Sequence, residues 1–374
     1  MLILKILFWA SLGLLVWTLV GYPLFTAALA RVRPKRVRKA DETPSVTVIV
    51  PAYNEEAVIA RRLDNLLALD YPANKLAVVV TSDASSDRTD EIVREYAARD
   101  PRIRLSRFPR SGKLPMLNQT VAGLETEVVA FTDANTVWSP DALRKLMRNF
   151  ADGDVAYVCG RLTLQGADGI NREGVYWRYE LWLRENESNL GSITGGNGAI
   201  YAIRRSDYFE PPFGHDLSFP PLAVKRGRRA VYEPEAAAFE KPSAESAEEY
   251  KRKVRMLPWN WAFLVSGKPL RGVPAVYAVE IFSHRHLRYG SGLLHVVLLA
   301  TNLALVGEGV IYQVALALQA LWLLLALLGR FRIRVPGAAI AYYYFLMMTA
   351  TVASLFAYLR RGPSLTWEKA AGTR

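Results

Sequence analysis

Residues 45–56 read SVTVIVPAYNEE. A run of β-branched residues, Ser45–Val50, gives way to a polar turn, Pro51-Ala52-Tyr53-Asn54-Glu55-Glu56. A buried parallel strand reads this way, because both of its faces are covered. Ala57–Leu69 follows, with Val58, Ile59, Leu63, Leu66 and Leu67 on one helical face. The pattern repeats twice. Leu76–Thr81 (LAVVVT) runs into Ser82-Asp83-Ala84-Ser85-Ser86-Asp87, then a helix over Asp87–Ala98 that buries Ile92, Val93 and Tyr96. Val128–Thr132 (VVAFT) runs into Asp133-Ala134-Asn135-Thr136. Strands alternating with amphipathic helices predict an α/β fold with a doubly wound, mostly parallel sheet. Ligands then bind beyond the strands' carboxyl ends.

The flanks have another character. Leu2–Ala30 is apolar apart from Lys5 and a few small residues, long enough to span a bilayer. Arg31, Arg33, Lys35, Arg36, Arg38 and Lys39 follow it, and such a cluster belongs on the cytoplasmic side. Gly292–Val306, Val310–Leu328 and Ala338–Leu359 predict three more spans, with Arg330, Arg332 and Arg334 falling inside. Arg360 and Arg361 would fall outside, against the rule. Met256–Val265 (MLPWNWAFLV) is too short to cross and reads as an interfacial helix. The expected organisation is a span at 1–30, a basic linker at 31–44 and a cytoplasmic catalytic domain at 45–243. A basic and interfacial segment at 244–289, three spans at 290–361 and a tail at 362–374 complete it.

Charge and cysteine content narrow the function. The net charge of +12 gathers at membrane boundaries, which argues for a lipid bilayer partner and against nucleic acid. The single cysteine, Cys159, excludes an internal disulfide and a cysteine-built zinc site. Neither turn after the first two strands has a glycine-rich dinucleotide fingerprint or a lysine-bearing phosphate loop. Carboxylates at these turns suit a nucleotide gripped by base and ribose. Asn54 and Asp87 also read as helix caps. At the third turn, Asp133 and Asn135 suit Mg²⁺ or Mn²⁺, which bridges diphosphate oxygens.

In this order the motifs resemble family 2 glycosyltransferases. The nearest likeness is to the membrane-integrated, processive branch of cellulose, chitin, hyaluronan and poly-N-acetylglucosamine synthases. The resemblance runs from about Val46 to Arg288 and implies a GT-A fold. It implies that Pro51, Tyr53, Asn54, Glu55 and Asp83 bind the uridine of a UDP-sugar, with Lys113 and Asn118 beside the donor. Asp133 and Asn135 match the metal-binding motif, an amide replacing its second aspartate. Gly195-Gly196-Asn197-Gly198 matches the acceptor-side glycine segment, so Gly196 and Asn197 would lie against the sugar. Asp216 matches the general base that makes the transfer inverting, with His215 where an acid is usual. Lys251-Arg252-Lys253-Val254-Arg255-Met256 resembles the Q/R-x-x-R-W motif, so Arg252 and Arg255 would clamp pyrophosphate. Trp259 or Trp261 would replace the tryptophan that Met256 displaces. Val175–Leu183, with its aromatics, is expected to pack rather than bind sugar.

The implied activity is a hexosyltransferase at the inner membrane, using a UDP-sugar and a glycan or lipid acceptor, in surface polysaccharide synthesis. Single-sugar transfer to ceramide, diacylglycerol or a polyprenyl phosphate is the enzymatic alternative. A catalytically silent scaffold binding nucleotide sugar or glycan is the third reading, kept open by Asn135, His215 and Met256. Four spans are few for a secretion channel, so export would need a homo-oligomer or a partner.

Overall fold

The computed structural model describes residues 1–165, 174–241 and 246–363. The expected domain boundary at 243/244 and residues 364–374 of the expected tail lie outside these. The chain divides into a catalytic unit and a helical unit.

The catalytic unit holds β1 (Val46–Ala52), β2 (Leu76–Asp83), β3 (Ile103–Phe108), β4 (Val128–Phe131), β5 (Val137–Trp138), β6 (Val155–Leu164), β7 (Tyr201–Arg204) and β8 (Arg229–Glu240) in one sheet. Their order is β3-β2-β1-β4-β7-β6-β8-β5. The four strands on the β3 side are parallel, as the sequence predicts. Beyond β4 the sheet is mixed: β7 runs antiparallel to β4 and β6, and β8 parallel to β6. The sheet is therefore less parallel than its first half suggests.

The helices are α1 (Leu2–Val16), α2 (Tyr22–Val32), α3 (Ile59–Leu67), α4 (Thr89–Arg99), α5 (Lys113–Ala122), α6 (Ala142–Met147), α7 (Val175–Leu190), α8 (His215–Lys225), α9 (Ser246–Val265), α10 (Ala275–Ile281), α11 (Arg288–Leu305), α12 (Val310–Arg330) and α13 (Ala338–Arg361). Every residue of β1 is buried. Val46, Val48 and Val50 enter one core with Leu63 of α3, Val93 of α4 and Leu146 of α6. Ile49 points the other way, into a second core with Leu117 of α5 and Phe219 of α8. A strand apolar on both faces thus enforces three layers. Pro51 closes β1 without loss, because its β4 partner stops at Ile49 and Phe131.

Part of the basic linker also belongs here. Lys39 lies 2.8 Å from the fully buried Glu233, which Arg148 pairs at 2.9 Å. The Arg38 amide donates to Asp152 at 3.2 Å. These linker residues answer protein carboxylates, where charge alone had suggested lipid.

The helical unit contains helices long and apolar enough to cross a membrane at Ala275–Glu308, Val310–Arg330 and Ala338–Arg361, and Leu2–Val32 makes the fourth in the chain. Phe8 and Leu15 of α1 pack with Leu298 and Leu305 of α11 around Tyr312. Lys5 pairs with Glu308 at 2.9 Å, which matches antiparallel α1 and α11. Met256–Val265 is the second half of α9 rather than a separate helix.

Candidate functional site

The loop after β3 organises the site. Asp83, fully buried at the end of β2, accepts hydrogen bonds from the amides of Ser111 (2.7 Å) and Gly112 (3.1 Å) and from Arg110 Nη1 (2.7 Å). Gly112 has φ of 90°, a conformation that glycine adopts without strain. The same Arg110 guanidinium lies 3.4 Å from the centroid of the Tyr53 ring. Asp83 thus acts on the chain's own loop, and Tyr53, expected at the base, is covered by Arg110.

The neighbouring turns are tied together. Asn54, with φ of 55°, accepts from the Ser86 amide at 2.7 Å, and its own amide donates to Ser85 Oγ at 3.0 Å. The buried Glu55 donates its amide to Thr89 Oγ1 at 2.7 Å. Asp87 accepts from the Thr89 amide at 3.0 Å and the Glu56 amide at 3.2 Å, so it ties the two turns together; the N-cap position of α4 is Arg88 rather than the expected Asp87.

One residue past Gly112, Lys113 Nζ reaches Asp133 Oδ1 at 2.6 Å. Burial alone would lower the Lys113 pKa, but the carboxylates of Asp133, Asp216 and Glu240 more than offset it and hold it raised. Asp133, just past β4, thus pairs with the ammonium, and Asp216 of α8 and Glu240 at β8's end act on it electrostatically. The glycine segment passes between them. A Cβ on Gly198 would lie 3.3 Å from Asp133 Oδ2, and one on Gly196 would lie 2.0 Å from the Tyr157 hydroxyl oxygen. The Gly196 amide donates to the Asp216 carbonyl at 2.9 Å. A continuous path of contacts thus runs from Asp83 through Gly112, Lys113, Asp133, Gly198 and Gly196 to Asp216.

Other predicted residues hold this arrangement in place. Asn197 is buried; its amide nitrogen donates to the Gly160 carbonyl at 2.9 Å and its oxygen accepts from the Ala199 and Ile200 amides at 3.0 Å. It shapes the glycine segment with both ends of its side chain. Asn118 accepts from the Tyr208 hydroxyl at 2.6 Å. His215 sits between two tyrosines, Nδ1 2.8 Å from the Tyr201 hydroxyl and Nε2 3.3 Å from that of Tyr208. Burial, helped by the Lys113 charge, lowers its pKa to about 3, so the imidazole is neutral. Asp216 occupies the first turn of α8, where the helix dipole favours its negative charge.

Arg252, Arg255 and Trp259 lie on α9, in the helical unit. Arg252 is paired with Glu249 at 2.8 Å. Trp261, an expected substitute for the stacking tryptophan, is buried and donates to the Thr351 carbonyl at 3.1 Å, so it packs helices. Met256 is half exposed. In the aromatic stretch, Trp177 donates to the Leu162 carbonyl at 2.9 Å, consistent with packing.

Sequence reasoning missed Arg62, Arg110, Tyr208 and Glu240. Arg62 is almost wholly buried, donates to Thr132 Oγ1 at 2.7 Å and lies 5.0 Å from the Trp138 ring centroid. Burial pulls its pKa down to about 9 against the opposing charges of Asp133 and Glu240. Its signal was present: it stands three residues after Ile59, on the stripe continued by Leu63 and Leu66. Glu240, accepting from Thr136 Oγ1 at 2.7 Å, had none.

Among the described residues, no three His, Cys, Asp or Glu side chains form a metal cage. Asp133 and Asn135 supply two oxygens, which fits Mg²⁺ or Mn²⁺, ions that take their remaining positions from substrate phosphate and water.

A three-layer sheet unit with this acidic edge defines a glycosyltransferase domain of the GT-A type. Residues 47–211 match the family described as Glycosyl transferase family 2. It is 28% identical over 209 residues to a beta-monoglucosyldiacylglycerol synthase of Trichormus variabilis, covering 53% of this chain and 44% of the relative. It is 29% identical over 225 residues to an N-acetylglucosaminyltransferase of a Rhizobium species, covering 53% and 49%. The chain thus spans about half the length of these curated relatives. In fold it is similar to the mannosyltransferase PcManGT from Pyrobaculum calidifontis, solved with GDP-Man and Mn²⁺. That match has a TM-score of 0.72 and 24% identity over 94% of this chain and 99% of that one.

Proposed function

We propose that the protein is an inverting glycosyltransferase that moves a sugar from a UDP-sugar to a glycan acceptor at the cytoplasmic face of an inner membrane, in surface polysaccharide synthesis. The observation that carries this reading is the convergence of Asp133, Asp216 and Glu240 on Lys113, beside a segment bare of side chains.

In the proposed reaction the acceptor hydroxyl attacks the anomeric carbon from the face opposite the diphosphate. The Asp216 carboxylate takes its proton, the new carbon–oxygen bond forms, and the bond to the diphosphate breaks with its electron pair leaving on UDP. A single displacement inverts the anomeric centre. Asp133 and Asn135 would hold Mg²⁺ or Mn²⁺, which would supply positive charge to offset the charge growing on the departing diphosphate. Lys113 holds Asp133 in place and adds positive charge at that end. Neutral His215 adds no negative charge next to the base, and its two tyrosine contacts fix the start of α8. Gly198 leaves room for a sugar to approach the backbone beside Asp133, and Gly196 seats the segment against Tyr157. Arg252, Arg255 and Trp259 are proposed to serve the pyrophosphate and acceptor, as the resemblance implies.

The test is a panel of UDP-sugars with Mg²⁺ or Mn²⁺, offered to the purified protein in detergent, with released UDP as the readout. One sugar should be turned over, and Asp216→Asn should lower turnover by about 10²- to 10⁴-fold with donor binding intact. Undiminished turnover in that variant refutes the assigned base, and no turnover of any donor favours the silent scaffold.

A second reading keeps the chemistry and changes the acceptor to a membrane lipid such as ceramide, diacylglycerol or a polyprenyl phosphate. The monoglucosyldiacylglycerol synthase among the relatives supports it. Product length separates the two: a ladder supports the glycan acceptor and one added sugar the lipid.

A further inference from the structure

The helical unit contains a cavity of about 370 Å³ between α12 and α13, beneath Tyr250 of α9. That volume falls in the range of small-molecule sites. Leu323 and Ala326 of α12 face Phe345 and Leu346 of α13 across it, and Arg330, the last residue of α12, lies at one end. Leu323 and Arg330 are seven residues apart, so the trough runs roughly 10 Å along the helix. α12 and α13 meet backbone to backbone beside it, since a Cβ on Gly329 would lie 2.2 Å from the Ala338 carbonyl oxygen. Leu323, Leu327 and Phe345 remain exposed, so the trough is open along its length.

Two features specify the occupant. The walls are apolar and elongated, which suits a hydrocarbon chain. The end is cationic: among the described residues, the guanidinium groups of Arg330, Arg332 and Arg334 have no hydrogen-bond or ion-pair partner. On α9, by contrast, Arg252 and Lys253 share Glu249. Basic pockets between membrane helices on the cytoplasmic side bind phosphate headgroups, and a guanidinium grips phosphate with two donors. A neutral lipid would fill the trough and leave Arg330 unanswered.

We propose that this groove binds one anionic phospholipid, one whose head carries no cation of its own beside the phosphate, its chain along α12 and α13 and its phosphate on Arg330. The site stands independently of sugar transfer.

Native mass spectrometry of the full chain in detergent tests it, with phosphatidylglycerol and phosphatidylcholine of identical chains as probes and inorganic phosphate as competitor. The protein should retain one phosphatidylglycerol in preference to phosphatidylcholine by about fivefold, the contribution of one arginine at a membrane surface. Arg330→Gln, an exposed change at a helix end, should erase the preference and Arg330→Lys should keep part of it. Ala326→Phe should block the trough and reduce retention of both lipids. Inorganic phosphate should not displace the lipid, because the chain supplies much of the binding. Equal retention of the two lipids, an unchanged preference in Arg330→Gln, unchanged retention in Ala326→Phe, or displacement by inorganic phosphate would each overturn the proposal. UDP release from the same preparations keeps the two conclusions apart. Lost lipid selectivity with intact turnover sinks only this site, and the converse sinks only the glycosyltransferase reading.

Discussion

Replacing Gly196 with alanine puts a methyl carbon 2.0 Å from the Tyr157 hydroxyl oxygen, 3.1 Å from its Cζ and 3.4 Å from Cys159 Sγ. Tyr157 is fully buried and stacked between Tyr201 and Phe219, so the phenol cannot swing aside. To reach an ordinary contact near 3.5 Å, the segment must move by roughly 1.5 Å. Overpacking of this kind costs about 1–3 kcal/mol. The functional cost is larger, because the Gly196 amide is bonded to the Asp216 carbonyl and Gly198 abuts Asp133. A misplacement of about 1 Å can cost about 10²-fold in rate, so Gly196→Ala should lose at least that in UDP release. Tyr157→Phe removes the clashing oxygen and leaves the 3.1 Å contact at Cζ, which small shifts can absorb. In the double variant most of the stability and part of the rate should return, a coupling of about 1–2 kcal/mol. Thermal unfolding in detergent and initial-rate UDP release, measured on all four proteins, complete the cycle. Full turnover in Gly196→Ala, or no recovery on adding Tyr157→Phe, would show that this close approach does not position the site.

Two further outcomes follow from buried cations and imidazole. Arg62→Met removes the donor to Thr132 Oγ1 and the charge facing Asp133 and Glu240. It should cost about 3 kcal/mol, the low end for breaking a buried charged pair, seen as a fall in Tm of roughly 6–12 °C; an unchanged Tm would deny Arg62 its structural role. His215 titrates near 3 when folded and near 6.5 when unfolded, so the unfolded chain binds more protons between those values. The stability from its neutral form is complete above about pH 6.5 and is lost as pH falls toward 3, with a slope of up to about 1.4 kcal/mol per pH unit. His215→Gln should flatten that part of the acid limb in a Tm-versus-pH series, and an identical limb in both proteins contradicts the assignment.

The amino-acid sequence by itself determined the parallel half of the sheet, the turns that bear Asp83 and Asp133, and the four long apolar helices. Each of these is a local property: a β-branched run buried on both faces, a polar turn after it, or an unbroken apolar length. It also marked Asp216 and the glycines, through short motifs. Tertiary structure decided the rest. The mixed half of the sheet, β5–β8, pairs residues far apart in the chain, and no periodicity announces the partner. Glu240 joins the acidic group only because β8 ends beside β4, and Lys113 meets Asp133 only because Asp83 holds the preceding loop. The roles of Asn197 and Asp83 likewise depend on neighbours: each looks like a ligand-binding polar residue in the sequence, and each uses both ends of its side chain on the protein's own backbone or side chains. Buried polar groups must find partners, and which partner they find is set by the packing of distant segments rather than by their own stretch of chain.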